Sequence, residues 1–457
     1  MGAARGVQPP EGGAGRASPG RPTARRLRAG GRMRVLVLVV GAALMACGNP
    51  GAKDAPGGDF GEVAETDVTR LSCATRPELP PPSPASGSCA DLALPALPPA
   101  VTASLPAFGA GAACTVAAAD GTGAVAAGLL YGPSYATGSF AVWNADGTQA
   151  WYAAEPAKLY GGGAVVGGSA GFLAYRHASG AATFTADGRT TPVSADPWPD
   201  GFALLQQRAG YQGPYAVAPD GGGGALVVSS GPGDAAGESG IWAARFDASG
   251  ALRAFWTVES SRREADAAVL RSSAGLAIGA DGAGRVLVLW SGVTPCAPGA
   301  VAARWFDADG APLGPPFDAG VAEPGTLVPL LDGSLALQDG AGAWVRRFEA
   351  GALAGGPVPA WLAARDGAAL HRVLGGRAYA LARSEPAADG TCSQSLELVA
   401  ADGSACGTIQ LPGAAVCTPF PWRAPRSPWI GPDGTIVHEA AGEPGACTWR
   451  WWPGALR

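Results

Sequence analysis

Reactive side chains are scarce in this 457-residue chain. It has three histidines, His177, His371 and His438, and none stands at helical or hairpin spacing from a second metal ligand. A lone histidine in a β-rich protein serves more often as a hydrogen-bonded structural residue than as a ligand or base. No Cys-x-x-Cys or Cys-x-x-His spacing occurs, which removes the common zinc sites. No Gly-x-Ser-x-Gly elbow is present. The glycine runs at 161–163 and 221–224 lack the lysine and helix that a phosphate cradle requires. No catalytic, cofactor or metal motif therefore stands out. Lys53 and Lys158 are the only lysines and no basic patch is visible, which argues against nucleic acid as a partner. Helical periodicity is nearly absent.

What is present begins near the N-terminus. Arg34 precedes an apolar run at residues 35–45, and Leu44-Met45-Ala46-Cys47 closes it. Eleven residues would span roughly 16 Å as a helix, about half the hydrocarbon thickness of a bilayer, which is too short for a transmembrane anchor. The segment resembles the signal peptide and lipobox of bacterial lipoproteins. That resemblance implies cleavage between Ala46 and Cys47, a diacylglycerol thioether on Cys47, and acylation of the new amino group by a chain such as palmitate. Two or three acyl chains hold a protein stably to a membrane, whereas one holds it marginally. In that family an Asp after the cysteine favours inner-membrane retention; Gly48 stands here, which points to the outer membrane. Residues 1–32 carry seven arginines without apolar periodicity, so a start at Met33 and a long basic leader are both open readings.

Beyond residue 46 the chain has 24 basic and 36 acidic side chains. This acidity suits solubility and discourages direct adhesion to an anionic membrane, so the bilayer is expected as a partner only through the lipid on Cys47. Eight further cysteines remain: Cys73, Cys89, Cys114, Cys296, Cys392, Cys406, Cys417 and Cys447. An even number in an exported chain reads as disulfides. Local pairs such as Cys73–Cys89, Cys392–Cys406 and Cys417–Cys447 suit the spacing, and eight cysteines allow about 105 pairings in all.

Three regions follow. Residues 1–46 are leader and signal peptide, and residues 47–112 form a spacer made semi-rigid by Pro80-Pro81-Pro82-Ser83-Pro84 and by prolines at 95–100. Residues 113–457 repeat. One turn pattern ends an apolar strand, as in Trp143-Asn144-Ala145-Asp146-Gly147, Phe246-Asp247-Ala248-Ser249-Gly250 and Phe306-Asp307-Ala308-Asp309-Gly310. Its successive glycines, from Gly147 to Gly403, lie 41, 62, 60, 41 and 52 residues apart. A second pattern interleaves, with Asp-Gly at 120, 220, 281, 332 and 433 ahead of another apolar strand. Asp-Gly supplies the positive φ of tight hairpin turns. Strands such as Val286-Leu287-Val288-Leu289 have no polar face, so both faces must be covered. Two hairpins per unit of about 40–60 residues, buried on both faces, predict an all-β fold of radially packed blades. Seven blades are expected in this β-propeller, with six or eight open, and a strand near Cys114 is expected to close the ring.

The units at 215–258 and 274–317 resemble a repeat of secreted and surface proteins of bacteria, with an Asp-Gly turn followed by an Arg-x-Phe-Asp-x-x-Gly strand and turn. That resemblance implies a propeller-like fold and no particular activity. Three features compete as functional sites. Asp307-x-Asp309-Gly310 has the opening spacing of a calcium loop but lacks its later acidic ligands, so turn geometry explains it better. Arg262 and Arg263 are placed in a loop between blades, where they would meet a ligand or merely solvent. Trp449, Trp451 and Trp452 form a stacking platform if exposed, and the packing of a ring-closing strand if buried. The expected function is non-enzymatic binding of a protein or glycan by an envelope-anchored propeller. A polysaccharide-acting enzyme with channel carboxylates and an envelope assembly scaffold are the alternatives.

Overall fold

The computed structural model describes residues 79–457 with gaps: 81–86, 93, 107–112, 132–136, 154–163, 170, 177–179, 185–189, 193–214, 233–238, 250, 262–274, 292–300, 390, 417–427 and 442–445 lie outside the description, as do residues 1–78. The chain divides into two units, Met1–Glu62 and Val63–Arg457, and every described residue belongs to the second. Cys47 and its lipobox, Cys73, Cys296, Cys417, His177, Arg262 and Arg263 therefore lie outside the described residues.

The strands are antiparallel throughout. The first, β1 (Val101–Pro106), belongs to the last sheet. Five four-stranded sheets follow in chain order. The first holds β2 (Ala113–Ala119), β3 (Val125–Tyr131), β4 (Thr137–Trp143) and β5 (Gln149–Ala153). The second holds β6 (Ala164–Gly167), β7 (Phe172–Arg176), β8 (Gly180–Phe184) and β9 (Thr190–Pro192). The third holds β10 (Tyr215–Pro219), β11 (Ala225–Pro232), β12 (Ser239–Phe246) and β13 (Leu252–Ser261). The fourth holds β14 (Leu276–Ala280), β15 (Val286–Ser291), β16 (Val301–Phe306) and β17 (Phe317–Asp318). The fifth holds β18 (Thr326–Pro329), β19 (Leu335–Gln338), β20 (Trp344–Phe348) and β21 (Gly355–Gly356). After the short helix α1 (Ala360–Ala363) comes a nine-stranded sheet. It contains two four-stranded sets. One is β22 (Ala369–Val373), β23 (Ala378–Pro386), β24 (Thr391–Ala400) and β25 (Ala405–Gln410). The other is β27 (Trp429–Ile430), β28 (Ile436–Ala440), β29 (Ala446–Trp452) and β1, and the strand β26 (Ala415–Val416) bridges β24 to β28.

The leading strands of successive sets are neighbours in space, from β2 through β6, β10, β14 and β18 to β22, while β27 and β28 lie beside β2. Chain order thus returns on itself, and the all-β fold is a propeller. Its cores lie between sets, as strands without a polar face require. In β15, Val286, Val288 and Trp290 pack toward the third sheet while Leu287 and Leu289 pack toward the fifth. Seven such apolar clusters occur among the described residues, each joining one set to the next.

Ring closure comes from earlier in the chain than the sequence pattern placed it. The closing strand β1 lies within the expected spacer, running Val101↔Trp451 to Pro106↔Ala446 against β29, whereas the strand at Cys114 is β2 of the first sheet. Leu105, Trp449 and Trp451 are buried with Trp143 and Val125 of the first sheet, and Trp452 is buried on the opposite side against Leu398 and Ile436. Ring centroids of Trp143 and Trp449 are 5.6 Å apart. Trp449, Trp451 and Trp452 are 0–1% exposed, so their reading as a stacking platform gives way to ring-closing packing.

The cysteines also differ from the local pattern. Cys89 is bonded to Cys406, 317 positions away, which replaces the pairings Cys73–Cys89 and Cys392–Cys406. Cys392 and Cys447 are buried and also held in disulfides.

Between the two sets of the nine-stranded sheet, His438 Nδ1 donates to Gln394 Oε1 at 2.9 Å, and Gln394 Nε2 donates to Ser384 Oγ at 2.9 Å. His438 is fully buried, lies edge-on to Trp452, and burial lowers its pKa from 6.5 to about 4, helped by the nearby Arg450 charge. His371 on β22 has an Nε2 out of reach of solvent and is lowered to about 4 by burial as well. Because the unfolded chain binds these protons first, both contributions are complete above pH 6.5 and are lost as pH falls toward about 4. Each weakens the fold by about 1.4 kcal/mol per pH unit within that window. Denaturant unfolding of wild type and His438→Gln between pH 7 and pH 4 checks this: their stability curves should converge as pH falls, and parallel curves would contradict it.

Candidate functional site: the turn face

In each antiparallel set the first-to-second and third-to-fourth turns share one end of the sheet. Nine of these turns among the described residues follow one design. In the turn from β4 to β5, the Asn144 N–H donates to Thr148 O and the Gly147 N–H returns to Asn144 O. Gly147 carries the left-handed φ of 87°, the signature of a three-residue hairpin loop closed by a glycine bulge. The same pair of bonds recurs at Asp120, Asp281, Asp307, Leu330, Ala400 and Gly431.

In each of these nine loops an aspartate caps the turn in one of two frames. In the leading frame it sits at the first position: Asp281 Oδ1 accepts from the Ala283 and Arg285 amides, both at 2.9 Å. Asp120, Asp220, Asp247 and Asp307 do likewise. In the trailing frame it sits two residues later, as Asp146, Asp332, Asp402 and Asp433 do, accepting one amide each. The frames matter for the glycines. In the Asp120 and Asp281 turns the positive φ falls on Gly123 and Gly284, not on the adjacent Gly121 and Gly282. Gly121 is needed for another reason: a Cβ there would lie 2.4 Å from the Ser169 carbonyl oxygen of the second sheet.

The face has an inner tier of buried carboxylates and an outer tier facing water. In the inner tier, Asp220 Oδ2 meets Arg245 at 3.3 Å, Asp281 Oδ2 meets Arg285 at 2.7 Å, and Asp433 Oδ2 meets the exposed Arg457 at 3.2 Å. Buried Arg347 pairs with Glu349 and lies 4.0 Å from Asp332. In the first sheet the positions that supply Arg285 and Arg245 are occupied by Ala124 and Val142. Asp120 is fully buried, its Oδ2 has no hydrogen-bond partner, and desolvation raises its pKa, with Asp433 adding to the shift. In the outer tier, Asp247 pairs with Arg253, and hydrogen bonds from Thr148 hold the exposed Asp146 carboxyl below the usual range.

Chemically this is a face of capped carboxylates, several of them paired with guanidinium groups. Among the described residues no three His, Cys, Asp or Glu side chains converge as a metal site. Asp307 of the calcium-like spacing is occupied by two backbone amides, Asp309 and Ala311, at 3.0 and 2.8 Å. The innermost strands β2, β6, β10, β14, β18, β22 and β27 carry no Asp or Glu. The guanidinium partners of the inner tier escaped the sequence reading, although Arg285 four residues after Asp281 is a visible cue.

No family model matches the chain, and no curated protein matches it. Solved structures similar to it include BamB from Moraxella catarrhalis, 13% identical over 74% of this chain and 84% of that chain, with a TM-score of 0.32. The β-propeller domain of Cps50 (Swd1) from Myceliophteria thermophila is 10% identical over 77% and 99%, with a TM-score of 0.38. A protein of unknown function from Dyadobacter fermentans is 12% identical over 78% and 98%, with a TM-score of 0.37. At these values the likeness says nothing about activity, and the fold rests on the strand pairing itself.

The caps set the stiffness of this face. Asp281→Ala strands two partly buried amides and the Arg285 guanidinium, and should cost about 2 kcal/mol, while Asp281→Asn keeps the amide acceptor and recovers about half. Asp309→Ala, at an exposed side chain in the trailing position of a loop whose amides Asp307 already takes, should stay within about 0.5 kcal/mol of wild type. Denaturant midpoints of the three variants check this, and equal losses for Asp281→Ala and Asp309→Ala would contradict the capping role.

Proposed function

We propose that this chain is a lipid-anchored envelope protein, held through Cys47, whose seven-bladed propeller is a non-enzymatic binding module for a protein or glycan. The lipobox residues Leu44-Met45-Ala46-Cys47 support the anchor, and Gly48 supports the outer membrane as its location. The count of seven follows from taking the nine-stranded sheet as two blades bridged by β26. The observation that carries the binding reading is the turn face: capped, fixed carboxylates occupy one end of the ring, and the innermost strands offer no carboxylate pair for acid–base work. Hydrolysis of a polysaccharide in the channel needs two such groups.

In the native host, wild type should take up labelled palmitate and sediment with membranes, and Cys47→Ser should do neither. Label retained on Cys47→Ser would overturn the anchor. Shortening of host envelope polysaccharide by the purified chain would overturn the non-enzymatic reading.

A further inference from the structure

The inner tier of the turn face has one junction whose charges do not balance. Where the third sheet meets the fourth, Arg245 pairs with Asp220 of its own sheet and donates from Nη1 to Gly284 O of the next at 3.0 Å. Arg285 pairs with Asp281 within the fourth sheet. Where the last set meets the first sheet, the same register carries no cation. Val142 stands opposite Ala126 as Arg245 stands opposite Leu226, and Ala124 follows Asp120 by four residues as Arg285 follows Asp281. On the last set Trp451, opposite Val437, takes the place that Arg245 has on the third sheet. Ala124, Val142 and Trp451 are all buried.

Two carboxylates meet at this junction. Asp120 Oδ1 accepts from the Thr122 and Ala124 amides of its own loop at 2.8 and 3.1 Å. Its Oδ2, on the other side of the carboxylate, is buried without a partner among the described residues. Asp433 comes from the last set, and its Oδ2 lies so near the Asp120 loop that a Cβ on Gly123 would be 3.5 Å from it. Its charge reaches Asp120, adding to the rise in that carboxyl's pKa. The cation at hand is Arg457, whose Nη2 meets Asp433 Oδ2 at 3.2 Å while its side chain stays 66% exposed. An ion pair so open to water contributes little and is readily exchanged. One loosely held guanidinium therefore serves two carboxylates, where the third and fourth sheets give each inner carboxylate its own.

We propose that Asp120 and Asp433 form a subsite for an arginine of a partner protein, whose guanidinium displaces Arg457 and pairs with both carboxylates. A guanidinium is the group this fold itself sets against the equivalent aspartates, Asp220 and Asp281. Its planar fork of five N–H donors bridges two acceptors, whereas a lysine ammonium is a point charge. The subsite rests on the binding reading above and narrows the partner to a protein that presents arginine to the turn face.

The test uses the full chain purified in detergent, titrated at constant ionic strength with N-acetyl-arginine amide and followed by saturation-transfer NMR on the probe. Saturable binding in about the millimolar range is expected, with N-acetyl-lysine amide about tenfold weaker. Arg457→Ala removes the competitor and should tighten binding about tenfold. In that background Asp120→Asn, which keeps the Oδ1 acceptor of the loop, should weaken it about tenfold. Ala124→Arg supplies the guanidinium from within, as Arg285 does for Asp281, and should abolish probe binding. A flat titration of Arg457→Ala, equal affinity for the lysine probe, or unchanged affinity in folded Asp120→Asn would overturn the subsite. Binding of calcium ion at this pair with the arginine probe inert would make it a metal site and overturn the guanidinium reading as well. The titration needs neither anchor nor envelope, so a flat result beside intact palmitate labelling and intact polysaccharide fails this subsite alone.

Discussion

A sheet that is apolar on both faces must sit between two neighbours, and in a linear chain the first and last sheets each lack one. Bending the series into a ring removes both exposed faces together, and the pairing of β1 with β29 makes that ring continuous. The last set takes three strands from the C-terminal end of the chain and one from residues 101–106, so neither end completes it alone. Its faces are then filled by the bulkiest side chains available: Trp449 and Trp451 against Trp143 on one side, and Trp452 on the other. Every other inter-sheet core depends on this closure, because an open ring would expose β2 or β28 to water.

The turn face follows from the same geometry. Radial packing brings the ends of neighbouring sheets so close that backbone meets backbone, as where the Gly121 N–H donates to Gly168 O at 2.7 Å. Side chains there are kept small, and the loops are fixed from within by aspartate caps. The cost of burying inner carboxylates is offset by hydrogen bonds from amides and by guanidinium groups, whereas Asp120 has the amides alone and its Oδ2 is left without a partner. A face built this way is held from within each loop by bonds between the aspartate and the loop's own amides.

Much of this was legible in the residues. Asp-Gly turns at regular spacing and strands without a polar face led to an all-β ring, and of the two readings open for Trp449, Trp451 and Trp452 the buried one is observed. Three features were not. Val101–Pro106 lies among prolines and carries only modest alternation, so it reads as spacer; its strand character comes from its partner β29. Cys89 and Cys406 meet because ring closure brings distant segments together, and local spacing carries no trace of that. The Asp-Gly dipeptide hides two cap frames, since Asp146-Gly147 places the glycine at the positive φ and Asp281-Gly282 does not. Arg245, the partner of Asp220, comes from across the sheet, and a linear reading has no view across strands.

Native-state hydrogen exchange on the oxidised chain tests the claim that β1 closes the ring. If closure underlies every core, the amides of residues 102–105 should exchange only through the same opening as those of β15 and β29, with matching protection and matching denaturant dependence. Exchange of those amides through a separate, shallower opening, with β15 and β29 still protected, would mean that the ring stands without β1 and would contradict the account.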